Sequence, residues 1–145
     1  MKKILTLVFL TVIYFAANAQ GYSTERELAQ SVFQKMKKFL TTSKAQFVNY
    51  SKPNYDLAKS LDNSYRNRER EFYQIIEKKY DDYKQSGINF SKITFGRFEN
   101  RGMTQAEPTT ITGYSGRVVV NYLGEELFIK IEYFMYNGKY YLLLM

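Results

Sequence analysis

The chain contains no cysteine, no histidine and no tryptophan among its 145 residues. Without cysteine it forms no disulfide, has no thiol chemistry and offers no acceptor for a lipoprotein anchor. Without histidine and cysteine, the Ser-His-Asp and Cys-His nucleophile systems are excluded, and so are zinc sites built on those ligands. Neither a G-x-x-x-x-G-K-[ST] nor a G-x-G-x-x-G pattern occurs, so no phosphate-binding loop is indicated.

Residues 1–19 have the three parts of a secretory signal peptide. The start Met-Lys-Lys is a positive n-region, residues 4–17 are uncharged and mostly apolar, and residues 17–19, Ala-Asn-Ala, are a small-x-small cleavage site. The apolar run is shorter than the roughly 20 residues that a spanning helix needs, which disfavours an uncleaved anchor. The absence of disulfides favours a bacterial origin for a secreted domain of this size. We therefore expect an exported protein, periplasmic or secreted and not a lipoprotein, that begins at Gln20 and keeps no stable membrane anchor.

The charge balance is basic, with 21 Lys and Arg against 14 Asp and Glu. Such a surplus favours anionic envelope surfaces or polymers, but the charges are evenly spread, which is typical of a soluble basic protein. The best candidate for nucleic-acid binding is the segment 65–70, Tyr-Arg-Asn-Arg-Glu-Arg. Acidic residues interrupt the basic stripe, no RNA-binding motif accompanies it, and export argues against this partner. No nucleic-acid partner is therefore expected.

A capping box opens the first predicted helix. Thr24 and Glu27 have the Thr-x-x-Glu spacing in which the two side chains and the backbone N–H groups of the first turn bond reciprocally. Apolar residues from Leu28 to Leu40 then recur at helical spacing. This pattern predicts a helix over about 24–42.

A second helical stripe lies between Pro53 and Gly87. Proline suits the first turn of a helix and glycine is a good C-terminal stop. The stretch 62–64, Asp-Asn-Ser, has residues that are unfavourable inside a helix. It is consistent with a division of this segment into a short helix and a long one. Helices are therefore expected over about 24–86.

The apolar period changes from 3.6 to 2 in the last part of the chain, which predicts strands over about 89–145. A first strand at about 89–99 is followed by a polar loop, Asn100–Pro108, and then by three more strands. Asn137-Gly138 is the strongest hairpin signal, because a type I′ turn needs positive φ at both central residues. The fold class is therefore α+β: residues 20–145 form one domain of N-terminal helices packed on a curved antiparallel sheet of about four strands.

The Asn-Gly turn also predicts which strand residues share a face of the sheet. It gives four cross-strand pairs: Tyr136 with Lys139, Met135 with Tyr140, Tyr133 with Leu142, and Ile131 with Leu144. An apolar inner face is then expected to receive the helices, and it includes Val118, Val120, Ile129, Ile131, Leu142 and Leu144. On the mixed outer face, Glu132 is expected to form an ion pair with Arg117 or Lys130 across strands. Gly113 and Gly116 are interpreted as strand-end flexibility.

Tyrosine is the one unusually abundant residue, with 14 in the chain. Phe134, Tyr136 and Tyr141 fall together on the predicted outer face of the last hairpin. Because tyrosine is enriched in binding surfaces, these three form the candidate ligand or partner surface. The alternative is a core that buries tyrosine rings where the helices meet the sheet. No catalytic residue, metal ligand or cofactor is predicted.

Paired carboxylates are the remaining candidates for catalysis. Two acids run glycoside hydrolysis when they face each other in a cleft, but Glu125 and Glu126 lie at a turn, and Asp81 and Asp82 on a helix surface. Adjacent acids in such places are nearly always solvated. We therefore expect that no single acid is essential, and that aromatic substitutions on the last hairpin have the larger effect.

The order of elements resembles that of the NTF2-like, or cystatin-like, small exported proteins of bacteria. An amphipathic N-terminal helix and further helices precede a meander that ends in Tyr-Asn-Gly-Lys-Tyr-Tyr-Leu, and the passage 88–99 enters a strand straight from the long helix. The resemblance implies a curved antiparallel sheet around a cone-shaped interior, where enzymes of the superfamily place acids or histidines. The predicted inner face has neither.

These features favour an exported, non-enzymatic binding or structural domain of the bacterial envelope, with a protein, a glycan or a small ligand as partner. The alternative is an NTF2-like small-molecule pocket protein or degenerate enzyme. A filled cone with an exposed tyrosine patch would favour the first, and a deep closed cone with at least one acid of perturbed pKa would favour the second.

Overall fold

The computed structural model describes residues 18–104 and 111–145. The predicted signal peptide, apart from Asn18 and Ala19, and residues 105–108 of the predicted polar loop lie outside the described residues. The described chain is α+β, with helices packed on an open antiparallel sheet of five strands. In these two ranges no helix is long and apolar enough to cross a membrane.

The helical elements precede the four long strands. In the described ranges they are α1 (Glu25–Thr42), α2 (Lys44–Asn49), α3 (Lys52–Leu61), a 3-10 helix (Asn63–Arg68), α4 (Glu69–Gln85) and a short 3-10 turn (Phe90–Lys92).

The predicted helix ends are confirmed by their caps. Thr24 Oγ1 accepts the backbone N–H of Glu27 at 3.1 Å, which starts α1. The Asp62 carboxylate accepts the N–H of Ser64 at 2.9 Å and so caps the 3-10 helix that divides the second stripe. Gly87, with φ of +76°, follows the end of α4 in the left-handed conformation that glycine adopts without strain.

The sheet has the order β1-β5-β4-β3-β2, and every neighbouring pair is antiparallel. Its strands are β1 (Gly21–Tyr22), β2 (Thr94–Met103), β3 (Thr112–Tyr122), β4 (Glu125–Tyr136) and β5 (Lys139–Leu144). The four predicted strands are present, and the two-residue β1 adds a fifth at one edge. The predicted start of the first strand at about residue 89 is wrong, because Phe90–Lys92 form a 3-10 turn and the strand begins at Thr94. The first four residues of the predicted polar loop belong to β2, because a register shift between Asn100 and Gly102 keeps them paired despite their polar character.

The β3–β4 and β4–β5 turns each have two residues with positive φ. The values are +50° and +84° at Leu123 and Gly124, and +51° and +74° at Asn137 and Gly138. The predicted type I′ turn at Asn137-Gly138 is therefore confirmed, because that turn needs positive φ at both positions.

The register next to this turn follows the prediction for three pairs and then departs from it. Tyr136 pairs with Lys139, Met135 with Tyr140 and Tyr133 with Leu142, but Leu144 pairs with Glu132 and not with Ile131. The fourth predicted pair is wrong because the ladder shifts by one residue after Leu142, and the hydrophobic run in β5 gives no sign of that irregularity.

We expect Gly138→Val to lower the free energy of unfolding by roughly 1–2 kcal/mol, because a β-branched side chain is strained at positive φ. The matched control is Gly138→Asn, since asparagine tolerates this conformation. Urea denaturation of both variants measures the difference. Equal stabilities for the two variants would contradict the strain argument.

The inner face of the sheet carries the main core. Helices α1 and α4 supply Leu28, Val32 and Ile76, which pack on inner-face residues of β3, β4 and β5. The sheet contribution is Val118, Val120, Ile129, Ile131, Tyr133, Leu142 and Leu144. The predicted inner face is therefore the buried one.

The outer face of the β4–β5 hairpin is buried as well, by α3. A second core cluster joins Tyr55, Leu57 and Ala58 of α3 to Phe134, Tyr141, Leu143 and Ile111. Asn54, only 4% exposed, fastens this helix to the sheet. Its Nδ2 donates to the Leu142 carbonyl at 2.9 Å, and its Oδ1 accepts from the backbone N–H of Gln20 at 2.9 Å. At this hairpin the sheet therefore has helices on both sides.

Candidate functional site

The three aromatic residues that the sequence singles out do not form an exposed surface. Phe134 has no exposed area and Tyr141 is 5% exposed. Their rings stack on each other with centroids 5.1 Å apart. Tyr136 is half-buried and packs against the same cluster. The register places all three on the outer face as predicted, but the expectation of exposure is wrong for Phe134 and Tyr141 because α3 covers them.

The opposite end of the outer face is exposed and carries paired charges. Arg97 Nη1 lies 2.6 Å from a carboxylate oxygen of Glu126. Arg117 donates to the carboxylate of Glu99, and its guanidinium carbon lies 4.3 Å from the centroid of the Phe128 ring. These charged groups already form ion pairs with one another, so this part of the sheet offers few unpaired polar groups to a ligand.

The predicted ion pair of Glu132 with Arg117 or Lys130 is wrong. Glu132 lies opposite Ser115 on β3, whereas Arg117 lies opposite Lys130 and bonds to Glu99 instead. The partner on β2 depends on bulges in that strand, which the sequence pattern does not reveal. The charged neighbour of Glu132 is instead Lys79 of α4, whose pKa is lowered by burial and on which the Glu132 carboxylate acts in the upward direction.

A cavity of about 300 Å³ lies between the helical segment around the start of α4 and the sheet. Its helical wall consists of Tyr55, Tyr65, Arg68, Glu71, Phe72 and Ile75. Its sheet wall consists of Thr104, Tyr114, Glu132, Tyr133, Leu143 and Leu144. Five of these residues have aromatic rings and three are charged.

Helical spacing and ring stacking build the helical wall. Arg68, Phe72 and Ile75 follow at intervals of four and three residues, which places them on one face at the start of α4. Phe72 stacks on Tyr55 of α3 with ring centroids 4.1 Å apart. The Tyr55 hydroxyl donates to the carbonyl oxygen of Tyr65 at 2.6 Å, so α3 holds the 3-10 helix in place.

A buried tyrosine positions the sheet wall. The ring of Tyr133 has no exposed area and stacks on Tyr114 with centroids 5.4 Å apart. Its hydroxyl donates to the carboxylate of Glu25, in the first turn of α1, and the same oxygen of Glu25 accepts from Asn100 Nδ2 at 3.0 Å. The strands themselves bring no acid to the inner face, as predicted, but α1 supplies one that fixes the orientation of this ring.

Three tyrosine hydroxyls of the cavity, those of Tyr55, Tyr65 and Tyr133, have raised pKa values and stay protonated at physiological pH. Burial raises the pKa of Tyr55 to about 12. Burial also raises the pKa of Tyr65, and at Tyr133 the bond to Glu25 adds to the effect of burial. The Arg68 guanidinium acts in the opposite direction on the pKa values of Tyr55 and Tyr65, which reflects a positive charge near both rings. These three rings of the walls are therefore neutral, and the hydroxyls of Tyr55 and Tyr133 are engaged within the protein.

The three charged side chains of the cavity are those of Arg68, Glu71 and Glu132. Among the described residues they have no partner at ion-pair or hydrogen-bond distance, although the Glu132 carboxylate acts to raise the pKa of the nearby Lys79. Their neighbour Glu69 differs, because its carboxylate lies 3.0 Å from Lys59 Nζ. All three unpaired groups are exposed and stand at the rim of the cavity, available to an incoming ligand.

Comparisons of the chain with protein-family models, with curated proteins and with solved structures find no match. The site is therefore assessed on its own chemistry. Among the described residues, no group of three or more Asp or Glu side chains is arranged to hold a metal ion.

The sequence singles out some of the cavity residues, but for other roles. Tyr65 and Arg68 belong to the segment 65–70, and Glu132 was a candidate for an ion pair. The tyrosine count points to aromatic chemistry and the hairpin register places Tyr133 opposite Leu142, but Tyr114 carries no signal of its own. The place of these two tyrosines in a cavity wall depends on how α3 and α4 cross the sheet, which local patterns do not specify.

Proposed function

We propose that this protein is an exported, non-enzymatic binding domain of the bacterial envelope that holds a small ligand in the aromatic cavity. The observation that carries the proposal is the cavity of about 300 Å³ with aromatic walls and unpaired charges at its rim. Ligand sites typically have volumes of roughly 300–1,000 Å³, apolar walls and a few polar groups that orient the ligand.

The exposure of the rim acids favours binding over catalysis. A general acid or base needs a carboxyl group held in a partly desolvated cleft, where its pKa shifts toward the working pH. Glu71 and Glu132 are both exposed. Glu25 is better shielded, but its carboxylate is occupied by Tyr133 and Asn100.

A relationship to the NTF2-like or cystatin-like proteins is part of the same proposal. It is supported by the packing of the long N-terminal helix α1 on the inner face of an antiparallel sheet. Within that framework, the cavity favours the small-molecule alternative over a partner surface built on Phe134, Tyr136 and Tyr141, because two of these three rings are covered.

We expect Ile75→Trp to weaken the binding of small aromatic fragments about tenfold or more, or about 1.4 kcal/mol. Ile75 lines the cavity and is 40% exposed, so an indole there occupies ligand space without entering a packed core. Fragment binding is measured by ligand-observed NMR and by thermal shift on the purified protein.

The matched control is Gln74→Trp, which places the same side chain on the neighbouring, exposed position of α4 away from the cavity. We expect this variant to bind fragments as the unmodified chain does. Hits that bind equally well to both variants would contradict the assignment, and so would a library from which no fragment binds.

A further inference from the structure

The three unpaired charges of the cavity include both signs, since Arg68 is a cation and Glu71 and Glu132 are anions. Building on the proposed function, we propose that the ligand is a small zwitterion: a carboxylate and an ammonium group on an aromatic body. A free aromatic α-amino acid is the simplest member of this class.

Arg68 is the group that recognises the carboxylate. A guanidinium presents a planar fork of N–H donors that matches a carboxylate in a bidentate arrangement. Its neighbour in sequence, Glu69, is engaged with Lys59, and Arg68 itself has no anionic partner among the described residues. A ligand carboxylate supplies the partner that the fold leaves out.

Glu71 and Glu132 recognise the ammonium group. Glu71 lies one helical turn after Arg68, and Glu132 approaches from the sheet wall of the same cavity. An ammonium group has three N–H donors and binds more than one carboxylate at once. A ligand with a carboxylate alone places no ammonium group beside Glu71 and Glu132, so it makes fewer charge-assisted contacts than a zwitterion does.

The walls recognise an aromatic body. Tyr55 and Phe72 stack on the helical side, and Tyr114 and Tyr133 stack on the sheet side. Since Tyr55 is 1% exposed and Tyr133 has no exposed area, the half-buried rings of Phe72 and Tyr114 are the ones in these pairs that a ligand contacts. Aromatic rings prefer offset-stacked or edge-to-face neighbours, which Phe72 and Tyr114 can provide. The volume of about 300 Å³ is at the lower end for ligand sites, which suits a single amino acid better than a nucleotide or a lipid.

Three probes with the same ring separate the contributions of the two charges. L-phenylalanine carries both charges, phenethylamine lacks the carboxylate, and 3-phenylpropionate lacks the ammonium group. We expect L-phenylalanine to bind the purified protein about tenfold more tightly than either, as hydrogen bonds to charged groups contribute enough for such a ratio. Isothermal titration calorimetry measures the three dissociation constants.

Charge-neutralising variants assign each contribution to its residue. Arg68→Gln is expected to weaken the binding of L-phenylalanine and of 3-phenylpropionate about tenfold and to leave the affinity for phenethylamine unchanged. The double variant Glu71→Gln, Glu132→Gln is expected to weaken the binding of L-phenylalanine and of phenethylamine. It is expected to bind 3-phenylpropionate at least as tightly as the unmodified chain does. Arg66→Gln, on the same 3-10 helix but away from the cavity, is the control and should change nothing.

Equal affinities for the three probes, no affinity for any of them, or indifference of L-phenylalanine to Arg68→Gln would each overturn the zwitterion inference. The small-ligand proposal is judged separately by whether Ile75→Trp blocks fragments that Gln74→Trp still accepts. A cavity that binds neutral fragments and rejects charged ones would therefore overturn the inference and leave the proposed function standing.

Discussion

Phe134→Ala is expected to lower the free energy of unfolding by about 3–5 kcal/mol, the usual range for removing a buried phenylalanine ring. Phe134 has no exposed area, stacks on Tyr141 and packs against α3. Its replacement removes contacts on both sides and leaves a cavity between helix and hairpin. Urea denaturation followed by circular dichroism gives the difference from the unmodified chain.

The chain contains a closely matched control on the same strand and the same face. Phe128 is 50% exposed, and its ring contacts the Arg117 guanidinium rather than a helix. We expect Phe128→Ala to cost less than about 1 kcal/mol, because an exposed cation–π contact contributes little. Similar losses for the two variants would mean that α3 does not cover the hairpin. Because Phe134 and Tyr141 are buried, replacing either by alanine tests the stability of the fold rather than ligand binding.

Gly116→Val is expected to lower the free energy of unfolding by about 1–3 kcal/mol, the usual cost of overpacking. A Cβ at Gly116 would lie 2.6 Å from ring atoms of Phe98 and 3.1 Å from the carbonyl oxygen of Glu99. The Phe98 ring is itself held against Tyr133 in an edge-to-face contact, with centroids 5.9 Å apart, so it has little room to move away. Gly116 therefore provides space for a ring, and its interpretation as strand-end flexibility is wrong.

A double-mutant cycle with Phe98→Leu isolates this contact. The smaller side chain gives the new valine room, so the double variant should lose less stability than the two single variants together. Ser115→Val is the control for valine in the strand, because Ser115 is adjacent and faces the other way. Strict additivity in the cycle, or an equal loss in Ser115→Val, would contradict the role assigned to the Phe98 ring.

The features that the sequence predicts well are those with local causes. The start of α1 depends on the hydroxyl of Thr24 and the N–H of Glu27, three residues away. The last hairpin depends on Asn137 and Gly138, whose positive φ values suit the twist of the flanking strands. In both cases the interacting groups are neighbours in the chain, so their spacing carries the information.

The features that the sequence misses depend on distant segments. The pattern of α3 indicates an apolar side but not which sheet face it covers, and for that reason Phe134 and Tyr141 were expected to be exposed. One signal was available in β5, where Tyr141 to Leu144 are all buried. A run of apolar residues without alternation is typical of a strand covered on both faces. The cavity lies further beyond local reasoning, since its walls combine α3, the 3-10 helix, α4 and the sheet.

The edges of the sheet bear on how the chain behaves beside copies of itself. An exposed strand edge presents unpaired backbone groups that template association with other chains, and bulges and charges weaken that tendency. The edge strand β2 has register shifts near Gly96 and Arg101, and Arg97 and Arg101 add positive charge along it. On the other side, the edge strand β1 has only two residues. The part of β4 before Glu132 has no β5 partner, and Lys79 Nζ bonds to the carbonyl oxygen of Lys130 there at 3.1 Å. Both edges are thereby poor templates for intermolecular strand pairing, which favours resistance to aggregation at high local concentration.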